Sequence, residues 1–221
     1  MNDIAGNIAS FKKQLPTQTR LIAVSKTKPI TMITSAYEAG QRAFGENYVQ
    51  ELCEKQLALP SDIEWHFIGH LQSNKVKFIA PFVSWIHAVD SEKLLKEINK
   101  QAIKNNRIID CLLQLHIATE ESKFGFDIEE LNSFCSKLQL PDYANVRIRG
   151  LMGMASFSDN ENLVGSEFKV IHQVFKELKK THFANQPKFD QLSIGMSSDW
   201  KIAINEGSTM VRIGSAIFGN R

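Results

Sequence analysis

The stretch MVRIGSAIFGNR, residues 210–221, decides between two folds for this chain, because it opens with an eighth short apolar run. Longer segments with helical periodicity lie between these apolar runs. The clearest are 163–178 and 91–103, and Ser91 is a plausible N-cap of the second. Strands that alternate with helices indicate parallel pairing through right-handed crossovers. Both an open doubly wound sheet and a closed (β/α)8 barrel have this pattern. The eight candidate strands are 21–25, 42–45, 64–68, 85–89, 109–117, 146–150, 191–194 and 210–213.

A count of eight favours the closed form, so we predict a (β/α)8 TIM barrel in which residues 1–221 form one domain. After the eighth strand only residues 215–221 remain, too few for an eighth outer helix. The N-terminal segment has apolar residues at helical spacing, and we expect a helix over 2–15 to cover the gap between the last and first strands. Those apolar residues are Ile4, Ile8, Phe11 and Leu15.

The composition bears on the partners and the compartment. There are 26 basic and 24 acidic residues, a formal net charge of +2, which gives no argument for specific nucleic acid or anionic membrane as a partner. No apolar run approaches the roughly 20 residues of a membrane span, and the start lacks a signal-peptide layout. The three cysteines form no CxxC pair and no zinc spacing, which is typical of a reduced cytoplasmic protein with buried thiols. We expect no metal site, since a strand-to-loop boundary falls between His66 and His70.

Lys26 stands where the first strand ends, in LIAVSKTKPI, residues 21–30. The active sites of such barrels lie at the C-terminal ends of the strands, so this side chain would reach into the barrel mouth. An amine that is partly removed from water is less readily protonated and attacks aldehydes to form a Schiff base. The alternative is an ordinary solvated lysine whose stem packs at the strand end.

Glycines and serines follow the last two strands, in SIGMSSDWKIAINEG at 193–207 and MVRIGSAIFG at 210–219. Backbone donors and hydroxyls at a helix N-terminus suit a phosphate dianion, and barrels often bind phosphate with these two loops. Alternatively, the glycines are turn residues and the two serines of the first loop cap a helix. The candidate phosphate-binding residues are Ser197, Ser198, Gly214 and Ser215.

Arg212 lies two residues before Gly214 and therefore faces the same side of the strand. It is either an outer-face salt-bridge residue or a donor in the mouth to a ring nitrogen of a ligand. A guanidinium beside a pyridine nitrogen would oppose protonation of that nitrogen. An unprotonated pyridine is a poorer electron sink, which restrains carbanion chemistry at a bound amino acid.

Eight motifs occur in order along the chain: AVSKTKP, FGENYVQE, WHFIGHLQSNK, HAVDS, EESKFGF, RGLMGMA, LSIGMSSDW and EGSTMVRIGSAIFG. Together they closely resemble the YggS/PROSC family of pyridoxal 5′-phosphate (PLP) homeostasis proteins, over about residues 20–219. The resemblance implies a barrel like the N-terminal domain of alanine racemase, with PLP bound as an imine. It implies that Lys26 carries the cofactor and that Asn47 lines its pocket. It also implies that Ser197, Ser198, Gly214 and Ser215 hold the phosphate and that Arg212 lies near the pyridine nitrogen.

The resemblance favours a PLP carrier that maintains PLP homeostasis without established catalysis and has apo-PLP enzymes as recipients; we expect a monomer. The alternative is an amino-acid racemase, which needs proton donors on both faces of the substrate. In alanine racemase the second donor is a tyrosine associated with an additional β domain. We expect no such domain here, and only Tyr48 lies near a mouth motif. A third possibility, an aldolase in which Lys26 binds a sugar phosphate, is disfavoured by the ordered motifs.

Overall fold

Eight parallel strands close into a barrel in the part of the chain that the structure describes, residues 3–118 and 124–220 of a computed structural model. Each strand pairs in parallel with the next one along the chain, and the eighth pairs with the first, so the predicted barrel is confirmed and the open sheet is excluded. The strands are β1 Arg20–Val24, β2 Ala43–Glu46, β3 Glu64–Phe67, β4 Trp85–Val89, β5 Ile109–Gln114, β6 Val146–Met152, β7 Gln191–Ser193 and β8 Met210–Ile213.

Helices cover the outside of the barrel, and their capping follows the local sequence. Ser91 caps the helix that follows β4, accepting from the amide of Leu94 at 3.3 Å. None of the helices in the described ranges is long and apolar enough to span a membrane. The helices are α1 Ile4–Gln14, α2 Ile30–Glu38, α3 Val49–Ala58, α4 Val76–Ile79, α5 Glu92–Lys104, α6 Ile128–Lys137, α7 Glu161–Lys180, α8 Trp200–Asn205 and α9 Ser215–Phe218.

The N-terminal helix α1 closes the seam between the last and first strands, as the sequence predicts. It packs against α2, which follows β1, and against α9, which follows β8. Asn7 of α1 donates to the carbonyl of Ile217 at 3.0 Å, and the ring of Phe11 lies edge-on to Trp200 at 5.5 Å. In place of an outer helix, the chain forms a single helical turn after β8.

The fifth strand is shorter than the predicted run of 109–117. It ends at Gln114, because Leu115 bridges to Phe126 and the amide of His116 donates to the carbonyl of Phe126 at 2.9 Å. The apolar run therefore leaves the barrel wall before it ends and pairs with a loop. The cysteines also differ in part from expectation, since Cys53 is half-buried rather than buried.

Alternate strand residues face opposite sides of the barrel wall. In β8, Val211 and Ile213 belong to the large core shared with the helices, whereas Met210 belongs to a small core inside the barrel. Arg212 lies on the same inner side as Met210 and is 4% exposed. The interior is therefore partly polar, and its upper layer opens at the C-terminal ends of the strands, which we call the mouth.

Candidate functional site

The structure brings the seven predicted site residues to the mouth or to the inner wall directly below it. Strands β7, β8, β1 and β2 are consecutive neighbours around the barrel, so the segments that follow them are adjacent. Lys26 and Asn47, which follow β1 and β2, are half-buried. The other five are Ser197 and Ser198 after β7, Arg212 on β8, and Gly214 and Ser215 after it.

The loop that carries Lys26 is held on both sides. Thr27 has a left-handed backbone, with φ of 61°, and its amide donates to Glu51 Oε1 at 2.6 Å. Lys28 Nζ donates to the carbonyl of Gly219 at 2.9 Å and so joins this loop to the segment after α9. These contacts fix the backbone around Lys26, and with it the base of the side chain.

A buried ion cluster lies beneath the same loop and is absent from the sequence prediction. Lys55 Nζ donates to the carbonyl of Ser25 and to Glu46 Oε1, both at 2.7 Å, and to Glu51 Oε1 at 2.6 Å. Glu46 is fully buried, and its burial raises the pKa of that carboxyl, although hydrogen bonds from Lys55 and Ser25 oppose the shift. One sequence signal could have indicated the cluster: a glutamate that ends an otherwise apolar strand requires a partner.

The loop after β7 needs a glycine for its own geometry. Gly195 has φ of 94°, and a Cβ there would lie 2.6 Å from the Cβ of Ala203. Ser197 Oγ accepts from the amide of Gly214 at 3.2 Å, which joins the two predicted phosphate loops. Helix α8 is preceded by Asp199, whose carboxylate accepts from the amide of Met196, so the two serines are not its caps.

Several polar groups at the mouth have no hydrogen-bond partner in the part of the chain that the structure describes. Among the described residues, the amides of Ser197, Ser198 and Ser215 donate no hydrogen bond. Asn47 Oδ1 is buried and likewise lacks a hydrogen-bond partner in the described ranges. Buried polar groups are normally satisfied, so an orphaned acceptor and unused backbone donors at the same end of the barrel indicate a place for a polar ligand. A phosphorylated, hydroxylated aldehyde fits these groups, since its phosphate accepts from amides, its hydroxyl donates and its aldehyde meets an amine.

Arg212 lies inside the barrel, so the outer-face interpretation is wrong. Its Nη1 donates to the carbonyl of Ser193 at 2.6 Å and to Ser193 Oγ at 2.7 Å, and its Nη2 donates to the carbonyl of Gly153 at 3.0 Å. These three bonds do not use Nε. Burial lowers the pKa of this guanidinium, and the charge of nearby Asp199 opposes only part of that shift, so the pKa is about 10. The side chain therefore stays charged near neutral pH.

The two histidines that were weighed as metal ligands lie apart. His66 points into the barrel, whereas His70 Nδ1 lies 3.1 Å from Asp90 Oδ2 and its ring stacks on Phe124. No group of three or more His, Cys, Asp or Glu residues in the described ranges could hold a metal ion. The motif EESKFGF falls largely on residues 119–123, outside the described residues.

Comparison with known proteins relates the whole chain to one family. Residues 1–221 match the family model described as alanine racemase, N-terminal domain. The chain is 43% identical over 205 residues to the pyridoxal phosphate homeostasis protein of Haemophilus influenzae, covering 91% of this chain and 85% of that protein. This similarity confirms the resemblance seen in the eight ordered motifs.

Solved structures give the same result. The structure of PipY from Synechococcus elongatus PCC7942 with PLP bound has a TM-score of 0.88 and 38% identity, covering 98% of this chain and 100% of that one. Alanine racemase from Bartonella henselae, with covalently bound pyridoxal phosphate, has a TM-score of 0.73 at 18% identity. The match covers 98% of this chain and 58% of the racemase, and it shows a shared fold alone.

Proposed function

Because this chain belongs to the family of pyridoxal phosphate homeostasis proteins, which have the alanine racemase N-terminal fold, we propose that it binds PLP covalently on Lys26 and maintains the cellular PLP supply. One observation carries the proposal: a lysine and three unused backbone amides meet at adjacent strand ends. A carrier needs a covalent but reversible attachment, together with phosphate contacts that release the ligand without chemistry.

The residues of the mouth divide the binding tasks among them. PLP, when bound, supplies an aldehyde that reacts reversibly with amines and a pyridine ring that withdraws electrons. Lys26 provides the amine, and the Lys55 cluster beneath its loop holds the backbone from which that side chain extends. The amides of the loops after β7 and β8 provide hydrogen bonds to the phosphate. Asn47 Oδ1 is an acceptor for a ligand hydroxyl.

Arg212 bears on the chemistry that bound PLP could support. Its buried charge lies below the mouth and would disfavour a proton on the pyridine nitrogen of bound PLP, so the ring would remain a weak electron sink. A racemase would need a second proton donor, such as a tyrosine. Tyr48, at the mouth, is 54% exposed, and the hydroxyl of Tyr37 donates a hydrogen bond to Asp62. We infer that the protein is a non-catalytic cytoplasmic carrier that delivers PLP to apo-PLP enzymes. We also infer that residues 1–221 form one domain and that the protein is a monomer.

The covalent attachment is tested by absorption. The protein incubated with PLP should develop a visible band, which Lys26→Ala abolishes and Lys104→Ala, on an exposed part of α5, retains. Reduction with borohydride should then fix one pyridoxyl group on the peptide that contains Lys26. A modified peptide that contains a different lysine would contradict the attachment site.

The carrier role is tested by transfer and by exchange. The loaded protein is mixed with an apo-PLP enzyme in the presence of an excess of a free-aldehyde trap. Reactivation faster than that given by equally trapped free PLP supports direct delivery. Deuterium incorporation from solvent at the α-carbon of alanine, with enzyme-like turnover, would instead show a racemase.

A further inference from the structure

Two histidines are completely buried inside the barrel, and the binding site as described does not use them. His66 and His87 are both 0% exposed. His66 Nδ1 lies 2.9 Å from His87 Nε2, and His87 Nδ1 lies 3.1 Å from Ser193 Oγ. Three polar side chains in series within an apolar interior are costly unless every donor meets an acceptor.

Charged groups end this series on both sides. At the mouth, Ser193 Oγ accepts from Arg212 Nη1 at 2.7 Å. At the opposite end of the barrel, His66 Nε2 is buried without a hydrogen-bond partner in the described ranges and lies 3.5 Å from Glu64 Oε1, an electrostatic contact. We call the five residues Glu64, His66, His87, Ser193 and Arg212 the inner polar path; it connects the cofactor end of the barrel to the opposite end.

The charges at the two ends determine the direction of the hydrogen bonds between them. Because Ser193 Oγ accepts from Arg212, its own proton is directed to His87 Nδ1. His87 then carries its proton on Nε2 and donates to His66 Nδ1, and His66 Nε2–H faces the carboxylate of Glu64. The reverse order would place a lone pair of His66 against that carboxylate and leave the Ser193 hydroxyl without an acceptor.

We propose that His66, His87 and Ser193 are positioning residues for Arg212, forming a one-directional hydrogen-bond chain in which both imidazoles are neutral Nε2–H tautomers. Through Ser193 this chain fixes the guanidinium below the cofactor. The proposal rests on the proposed function in one respect, namely that Arg212 faces PLP.

The surroundings of the pair favour neutral rings. Desolvation lowers the pKa of His66 and, much further, that of His87. Four charged groups act on the pair: two carboxylates raise the pKa of His66, whereas arginines lower the pKa of both rings. These four groups are Glu64, Asp110, Arg20 and Arg212.

The hydrogen-bond order is tested without cofactor by nitrogen-15 NMR of labelled histidines in the folded protein. Signals are assigned with His66→Leu and His87→Leu. Both rings should show a protonated Nε2 and a bare Nδ1 from about pH 5.5 to 8.5, a range around the ordinary histidine pKa of about 6.5. A protonated Nδ1 on either ring near neutral pH would overturn the proposed order.

The positioning role is tested by a matched pair at residue 87. The amide oxygen of Asn can occupy the place of His87 Nδ1 and accept from Ser193, whereas Leu has a similar shape and no acceptor. We expect His87→Leu to weaken PLP binding roughly tenfold and to shift the absorption of bound PLP, and His87→Asn to stay within about threefold of wild type. A purely structural role predicts the opposite order, because a buried Asn is less favourable than a buried Leu.

Ser193→Ala tests whether His87 acts on Arg212 through the hydroxyl of Ser193. If His87 acts through the serine hydroxyl, His87→Leu has no added effect on PLP affinity in the Ser193→Ala background. An undiminished added effect would overturn the route. Failure of the wild-type protein to bind PLP would contradict the proposed function, and the NMR result would still decide the hydrogen-bond order.

Discussion

At the scale of single residues, Lys55 supports the backbone of the loop that carries Lys26. It is 5% exposed and compensates the charge of Glu46, which is fully buried. It also donates to the carbonyl of Ser25, the residue before Lys26. Removing one member of a buried ion pair leaves an uncompensated charge, which costs far more than the pair itself contributes. The backbone of the Lys26 loop therefore depends on an ammonium group in α3.

We expect Lys55→Met to lower the free energy of unfolding by about 3–5 kcal/mol, because Glu46 is left charged and buried. The double variant Lys55→Met with Glu46→Gln should recover part of this loss, since neither charge remains. Chemical denaturation measures both variants, and Lys104→Met, on an exposed turn of α5, is the control. Wild-type stability in the single variant would contradict the assigned burial of the ion pair.

The sequence predicts Lys26 but not Lys55, for a physical reason. A lysine that directly follows an apolar strand is recognisable by position alone. Lys55 is four residues after Glu51 on a helix, the spacing of ordinary solvated ion pairs. Its burial follows from its contact with Glu46 on a neighbouring strand, a tertiary fact that no local pattern contains. The sequence likewise contains His66 and His87, but it does not show that they touch. Their contact depends on the register in which β3 and β4 pair in the barrel.

At the scale of elements, the loops after β7 and β8 have glycines for different reasons. Gly195 has a left-handed backbone and no room for a Cβ beside Ala203. Gly214 has φ of −115°, and a Cβ there would meet Val24 at 3.4 Å, an ordinary contact. The protein's own packing requires glycine only at the first of the two positions. At the second, the proposed function predicts that glycine is needed for the approach of the ligand phosphate.

A pair of alanine variants separates these two roles. Gly195→Ala should lose roughly 2–3 kcal/mol of unfolding free energy, because it combines an unfavourable φ with overlap. Gly214→Ala should change stability by less than about 1 kcal/mol and weaken PLP binding, since its methyl stands where backbone approaches phosphate. Thermal denaturation and PLP titration measure the two effects. Equal loss of stability in both variants would show that Gly214 is also structural.

Element bounds follow from the sequence where a strand lies wholly within the wall. The bounds of β4 and β8 are those predicted, at 85–89 and 210–213. The prediction for β5 is too long, because an apolar alternation continues past Gln114 whether the next residues pair with a strand or with a loop. Local periodicity reports which residues are buried, and it does not report their hydrogen-bond partners.

At the scale of the whole molecule, polar contacts link several strands at the end of the barrel opposite the mouth. Glu64 of β3 accepts from Arg20 of β1 at 2.8 Å and from the indole of Trp85 of β4 at 2.6 Å. This carboxylate therefore joins three strands across the barrel axis. It is also one end of the inner polar path, so closure of the barrel and orientation of Arg212 share a residue.

This arrangement predicts how stability depends on acid. Burial alone would raise the pKa of Glu64. His66 at 3.5 Å, Arg20 and Trp85 lower it by more than burial raises it, so the pKa falls from 4.5 to about 2. A carboxyl whose pKa is depressed in the folded state stabilises that state above its unfolded pKa. The contribution should therefore be complete above about pH 4.5 and be lost progressively as the pH falls towards 2.

We expect Glu64→Gln to be less stable than wild type near pH 7 by roughly 2 kcal/mol, a value reduced for the solvent that reaches this carboxyl. The difference should shrink between about pH 4.5 and pH 2, because wild-type Glu64 is then protonated and resembles the amide. Urea denaturation at a series of pH values measures it, with Glu38→Gln, on an exposed part of α2, as control. A constant difference across that range would mean that Glu64 acts through shape alone, since only a titrating carboxylate makes the two curves converge.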